Sequence, residues 1–553
     1  MSNDTGESDV SPTESKTTST VGNFSHGSRE TPVTSASPME ADRSEKARGH
    51  KSDAHVAGES HSSIVPEKPA NNGGVPPPAE SVEGRGLTEE NIEQSLLDRT
   101  QGRNADGSPF VPRSRGLLGV RQAAQKDRKL KFTSLLHHLT PELLQASFFD
   151  LKKQAAPGVD GETWRDYEVE FERRIDDLHG RIHRGAYRAK PSKRTYIPKG
   201  DGKLRPLGIA ALEDKIVQQA ARTVLECIYE QDFLGFSYGF RPGRSQHRAL
   251  DALYVGITKR KVNWIIDADI RGFFDNISHE WLMKFLEHRI ADRRMLRLLK
   301  KWLRAGVSED GEWSPTTVGT PQGAVISPLY ANVFLHYVLD LWIHDWRQRQ
   351  AKGEVTILRY ADDFVIGFRE ESDARKCLDA LRERFTKFGL ELHPEKTRLI
   401  EFGRYAEERR AKRGDGSPET FDFLGFTHIS GKTRRGDFTI HRKTSRKKFH
   451  AKLLELQGEL SRRIHDDLAQ VGAWLQSVFR GWCQYYAVPG NYSRLQQFRD
   501  AIQGMWLRTL RRRSQRGRHL TWEKFSKLSK RWLPTPKILH PYPNVRFASQ
   551  HPR

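Results

Sequence analysis

The 553-residue chain predicts an α+β domain followed by an all-helical region, behind a leader that does not fold. Three observations carry this. Strand-like and helix-like apolar periods alternate from about residue 190 to 430. Beyond about 440 the apolar residues recur at helical spacing. Residues 1–85 are rich in Ser, Thr, Glu, Gly and Pro, and Phe24 is their only aromatic. Such a segment cannot bury enough apolar surface to offset its ordering entropy, so disorder is expected.

Charge sharpens the division. The first 100 residues carry net −8 and residues 431–553 carry +20, within a total of +22. A basic, aromatic-rich body behind an acidic leader points to a polyanionic partner, most economically nucleic acid. Cys227, Cys377 and Cys483 are too few and too scattered for a disulfide framework or a CxxC zinc site. No apolar run is long enough to cross a bilayer, and the polar, acidic N-terminus is neither a signal nor a basic transit peptide, so a cytoplasmic setting is expected.

In order along the chain, structure is expected from about Leu87, with a helix over Val120–His138. Thr140-Pro141 restarts a helix as N-cap and N1. Two strands, 194–198 and 204–209, flank a Gly-Asp-Gly turn. A helix runs from Leu212 to about Ile228. Phe236–Ser245 is a loop punctuated by glycine and arginine, a type that commonly cradles phosphates, with Ser245 capping the next helix.

Trp264–Ile270 reads as a strand whose period of two puts Asp267 and Asp269 on one face and Trp264, Ile266, Ala268 and Ile270 on the other. Ser327-Pro328 opens a helix expected to bury Leu329, Val333, Tyr337 and Leu341. Ile357–Phe368 reads as a tight hairpin with Asp362 and Asp363 at its turn. A helix over 374–388 and a strand over 421–426 follow. Aromatic stripes on the helices beyond, such as Leu495, Phe498, Ile502, Trp506 and Leu510, read as bundle core. Arg508, Arg511, Arg512, Arg513, Arg516 and Arg518 exceed what a helix dipole needs and read as phosphate contacts.

Two like charges at a tight turn repel, and a hard divalent cation with oxygen ligands would relieve them. A solvated Asp-Asp turn is the plain alternative. The ordered set of motifs weighs against it. Tyr360-Ala361-Asp362-Asp363, preceded by Asp269–Asp275 and Pro321-Gln322-Gly323, resembles the reverse transcriptases. Arg205–Ile209, Ser237–Gly243, Ile326–Leu329, Pro394–Thr397 and Phe421–Phe426 narrow the resemblance to bacterial group II intron-encoded reverse transcriptases and maturases, and Arg480–Tyr486 matches their maturase region.

The resemblance implies a right-hand polymerase fold, with fingers and palm built on antiparallel sheet and an all-α thumb. The expected domains are a leader 1–85, an N-terminal helical extension 86–156, fingers and palm 157–430, thumb or maturase 431–520, and a basic tail 521–553. It implies RNA-directed DNA polymerase activity with dNTPs, two Mg²⁺ ions (Mn²⁺ as substitute), an intron RNA template, a DNA primer or target, and help with splicing and retrohoming. By motif match Asp269, Asp362 and Asp363 are catalytic and metal-holding, with the Ile270 carbonyl as a further ligand and Asp267 as helper. Lys203 and Arg205 would neutralise the triphosphate, Gln322 would touch the nucleotide and Phe274 would gate the sugar. Lys396 would protonate the pyrophosphate, and Phe423, Leu424 and Gly425 would position the primer. Position 324 is Ala where the family usually has glycine. The endonuclease domain of some members needs cysteine pairs, and Cys483 is the only cysteine beyond 430, so none is expected. An RNA-binding protein with a decayed site is the competing reading, and the intact acidic set speaks against it.

Overall fold

The computed structural model describes residues 115–198 and 204–550. The leader, the onset of order near Leu87, Lys203 and the Gly-Asp-Gly turn lie outside them. The first helix covers Arg115–Lys126, shorter than expected, and His138 closes a single 3₁₀ turn begun at Leu136. Between them Asp127 accepts the Lys129 N–H at 2.7 Å and Phe132 bridges to Ile290, so a long-range pairing overrides helical spacing. Thr140 caps Pro141–Phe149 as expected, and further helices run to His183.

Strands β1 (Ser192–Pro198) and β2 (Leu204–Ile209) pair antiparallel. Helices α1 (Leu212–Asp232) and α2 (Gln246–Lys259) follow, α2 capped by Ser245. Next come β3 (Trp264–Ala268), α3 (His279–Glu287), and the short β4 (Val307–Glu309) and β5 (Glu312–Ser314). β4 joins β1 in parallel, so the order is β2-β1-β4-β5 and this sheet is mixed rather than purely antiparallel.

Helix α4 (Ser327–Leu335) leads through a π-turn (His336–Asp340) to β6 (Val355–Tyr360), β7 (Asp363–Phe368), α5 (Glu371–Lys387) and β8 (Arg398–Glu401). The central sheet, β6-β7-β3-β8, is antiparallel throughout. Helix α4 begins one residue early, so Ser327 is not its cap; its hydroxyl instead holds the Pro321 carbonyl at 2.9 Å.

A third sheet comprises β9 (Phe421–Phe423), β10 (Phe426–Lys432) and β11 (Phe438–Thr444). The single strand expected over 421–426 is therefore a hairpin. β10 runs across residue 430, and purely helical structure starts only at α6 (Arg446–Arg462). Helices α7 (Leu468–Tyr486), α8 (Tyr492–Arg513), α9 (Trp522–Ser529) and α10 (Pro543–Gln550) complete the described chain. The segment expected as a tail is folded: Phe525 and Leu533 are fully buried, and Arg546 of α10 pairs with Asp251 of α2.

One apolar core lies under one face of the central sheet, built from α1, α3, α4 and α5 together with the segments between Leu117 and Tyr187 and the helix Arg293–Arg304. A second joins the other face, α2, β9–β11 and the C-terminal helices, and it takes in Leu495, Phe498, Ile502 and Trp506 as expected. Burial holds two core imidazoles neutral. His336 is pushed down to about 4 and His428 to about 3. Their folded values lie below the unfolded one near 6.5, so the unfolded chain binds more protons across that window. Stability present above about pH 6.5 should fall as pH drops towards 4, by about 3 kcal/mol per imidazole. Thermal denaturation from about pH 7.5 to about pH 4.5 checks this, and replacing His428 with Phe should flatten the slope.

Candidate active site

Strand pairing assembles the acidic residues. Ala268 of β3 lies opposite Phe364 of β7, so Asp269 and Asp363 meet at the end of the sheet. Alternation holds as expected: Ile266, Ala268 and Ile270 enter the first core, while Asp267 and Asp269 face the other way, half-buried. β6 ends at Tyr360 and β7 starts at Asp363, leaving Ala361-Asp362 as a two-residue loop. Ala361 sits at φ +58°, the left-handed region that the first central position of a II′ hairpin requires and alanine disfavours.

What holds this strained turn was not legible in the sequence. Arg359, fully buried, donates through Nε to Asp340 Oδ1 (2.7 Å), through Nη2 to Oδ2 (2.5 Å), and through Nη1 to Asn332 Oδ1 and the Ala361 carbonyl (both 3.0 Å). The π-turn explains why Asp340 is there. Its extra residue rotates the helix, so Asp340 points inward and Leu341, expected in the core, is 38% exposed.

Asn332 Nδ2 donates to the Gly239 carbonyl at 2.8 Å, and a Cβ on Gly239 would lie 2.2 Å from the Ala361 nitrogen. Gly239→Ala should therefore displace the turn and cut primer extension by at least about tenfold, about 1.4 kcal/mol in the barrier; an unchanged rate refutes the contact's importance. In the loop around it, two of the donors that could face a phosphate are taken up within the protein. The Tyr238 N–H bonds the Arg359 carbonyl (2.8 Å), and Arg241 is buried against Glu230 and the carbonyls of Leu234 and Ser237. The Tyr238 N–H braces β6, and Arg241 ties the loop to Glu230 and to itself.

The electrostatics match a site built for cations. Desolvation, then the charges of Asp362, Asp269 and Asp267, push the Asp363 carboxyl up to about 7, with Lys396 pulling the other way. Desolvation, then Asp269, raises Asp362, against its own backbone N–H and Arg205. Desolvation also raises Asp267, against its partner Arg398 at 3.1 Å. Lys396 Nζ lies 2.6 Å from Asp269 Oδ2, so here it neutralises a carboxylate. The Asp269 carbonyl accepts the His393 N–H at 2.8 Å, and Ile270 bridges to Leu392. Among the described residues no three Asp, Glu, His or Cys side chains close a cation cage by themselves. Mg²⁺ is commonly held by one or two carboxylates with substrate phosphates completing its shell, and hard oxygen donors crowded at this sheet end fit that mode.

Of the residues expected around the nucleotide, Arg205, Phe274, Gln322 and Lys396 are among the described residues and Lys203 is not. Arg205 is exposed on β2 with its charge felt at Asp362. Phe273 is core, and Phe274, half-buried, packs against that first core. Gln322 Nε2 donates to Asp275 Oδ1 at 3.2 Å, and its carbonyl accepts the Gly208 N–H at 2.7 Å, linking that loop to β2. Ala324 is buried without positive φ, so alanine is accommodated there. Phe423 ends β9, and Leu424-Gly425 form the turn to β10. The six C-terminal arginines are all exposed at and beyond the end of α8; Arg511 also holds the Leu520 carbonyl and Arg513 that of Asp466.

Residues 197–428 match the family described as "Reverse transcriptase (RNA-dependent DNA polymerase)". The chain is 32% identical over 355 residues to protein YkfC of Escherichia coli strain K12, covering 57% of this chain and 88% of that one. It is 26% identical over 467 residues to the group II intron-encoded protein LtrA of Lactococcus lactis subsp. cremoris, covering 68% and 74%. To a putative COX1/OXI3 intron 1 protein of Saccharomyces cerevisiae it is 26% identical over 404 residues, covering 58% and 46%. With its acidic hairpin, its mixed α/β body and its helical C-terminal region, the chain belongs to the reverse transcriptase family, the RNA-directed DNA polymerases of right-hand fold, and within it to the group II intron-encoded type.

Proposed function

We propose that this RNA-directed DNA polymerase extends a DNA primer on its intron RNA with dNTPs, and that it also binds that RNA to assist splicing and retrohoming. The observation that carries the reading is the meeting of Asp269 with the Asp362-Asp363 turn across β3 and β7. Reverse transcriptases use divalent metal ions; here two Mg²⁺, with Mn²⁺ as substitute, held by Asp269, Asp362, Asp363 and the Ile270 carbonyl, would activate the primer 3′-hydroxyl and neutralise the leaving pyrophosphate. In the transfer the 3′-oxygen bonds the α-phosphorus as the bond to pyrophosphate breaks. Arg205 and Lys203 offset the triphosphate's charge. Phe274 closes the space where a ribose 2′-hydroxyl would sit, and Gln322 is oriented towards the nucleotide by Asp275. Lys396, on a flexible stem, exchanges Asp269 for the pyrophosphate and donates its proton there.

In this reading β1, β2, β4 and β5 belong to the fingers, the central sheet to the palm, and α6–α8 to the thumb. No helix of the described residues is long and apolar enough to cross a membrane; we place the protein in the bacterial cytoplasm, on the nucleoid when bound to DNA. The exposed Arg508, Arg511–Arg513, Arg516 and Arg518 contact RNA phosphates. Neutralising Arg511, Arg512 and Arg513 together should flatten the dependence of log affinity on log salt by about 2–3. An unchanged slope in a filter-binding titration would assign them to solvated surface.

A further inference from the structure

We propose that Tyr485 is a positioning residue for the primer 3′ end, its hydroxyl holding the Leu424-Gly425 turn in a shape that leucine resists. The inference rests on the reading of Phe423–Gly425 as the primer-positioning segment.

Phe423 of β9 pairs with Phe426 of β10, leaving two residues to turn the chain. Both have positive φ, +47° at Leu424 and +77° at Gly425. That is the type I′ pattern, for which Asn-Gly is the favoured pair and a leucine in first place is strained. Strain of this kind lasts only where the surroundings impose it, and it concentrates at working sites.

The surroundings come from the C-terminal side. Tyr485 Oη on α7 donates to the Leu424 carbonyl at 2.8 Å. The Ser445 N–H, just before α6, donates to the Gly425 carbonyl at 3.0 Å. A Cβ on Gly425 would lie 2.9 Å from the Tyr486 hydroxyl, so only glycine fits there without a shift. Tyr485 is itself anchored: its ring stacks on Phe426 at 5.7 Å, and its carbonyl contacts His247 Nε2 at 2.8 Å. Burial raises its phenol well above the usual range, so it remains a donor.

The turn also reaches the carboxylates. Arg398 joins Asp267 Oδ2 (3.1 Å) to the Thr420 carbonyl (3.3 Å) immediately before β9. Asp422 of the same hairpin receives the Ser445 hydroxyl at 2.8 Å, and its charge acts on Asp267. A displacement of α7 would thus move the Leu424 carbonyl, and with it the primer end, relative to Asp269 and Asp362.

Single-turnover primer extension of Tyr485→Phe tests this. At saturating dNTP the rate should fall about tenfold, with dNTP KM and template–primer affinity unchanged and the thermal midpoint lowered by no more than about 2–4 °C, since only one hydrogen bond is removed. In a Leu424→Asn background, where the turn suits its residue, the same change should cost less than about twofold. A wild-type rate for Tyr485→Phe, or an equal loss in both backgrounds, overturns the inference. Photocrosslinking from 4-thiothymidine at the primer 3′ terminus separates the two readings. Crosslinks to residues 423–425 without a Tyr485 effect sink only the positioning role; no crosslink there sinks the primer-segment reading beneath it.

Discussion

Asp362→Ala should reduce Mg²⁺-dependent primer extension on an RNA template by at least about a thousandfold, about 4 kcal/mol in the barrier. Asp362 is the half-buried member of the pair, fixed in the two-residue loop by the Ala361 carbonyl's bond to Arg359 and facing Asp269 across the sheet end. Its carboxylate is raised by desolvation and by Asp269, so in the free protein it costs stability. The alanine variant should therefore keep or raise its thermal midpoint while losing chemistry, the sign expected where a site trades stability for function. Asp363→Asn should lose less, because Asp363, at the first position of β7, keeps more contact with solvent than Asp362 even though its carboxyl is crowded by the neighbouring carboxylates. Full activity in Asp362→Ala would refute the assignment. Splicing supported by that variant without DNA synthesis would show the two proposed functions to be separable.

Arg359→Met should destabilise the protein by about 3–5 kcal/mol, the cost of leaving a buried carboxylate without its partner. Asp340 and Arg359 are both fully buried and paired at 2.5 Å. Removing the guanidinium also strands Asn332 Oδ1 and the Ala361 carbonyl. The double variant Arg359→Met/Asp340→Leu should recover part of the loss, since a buried ion pair can often be replaced by apolar groups that fit. Thermal melting and hydrogen exchange of the β6–β7 hairpin read both effects. Extension by the single variant should fall too, because the strained Ala361 turn then has one fewer restraint. If the single and double variants melt alike, the pair is not what holds the turn.

Much of the site was legible because it is local. Alternation places Asp267 and Asp269 on one face of β3, and two apolar runs around Asp362-Asp363 make a hairpin whatever surrounds them. Caps at Thr140 and Ser245 read correctly for the same reason. Where a distant partner decides, the pattern misled. Phe132 left its helix to pair with Ile290, Leu341 turned outward at a π-turn, and the stretch 421–426 folded back at Leu424. The Phe236–Ser245 loop reads as a type that cradles phosphates, yet β6 takes its donor at Tyr238. The C-terminal segment reads as a tail from its prolines, yet Asp251 binds both Arg442 and Arg546 and draws α10 onto α2.

The sequence by itself determined the family, and it singled out Asp269, Asp362-Asp363 and their turn as candidates, since each motif is written in residues a few positions apart. Only the tertiary structure decided how that chemistry is held in place. Arg359, Asp340, Asn332 and Gly239 stand up to 120 positions apart and converge on one carbonyl-and-carboxylate knot behind the turn. A buried charge can be stable only when its partners are in reach, and no local pattern records which distant residues will be.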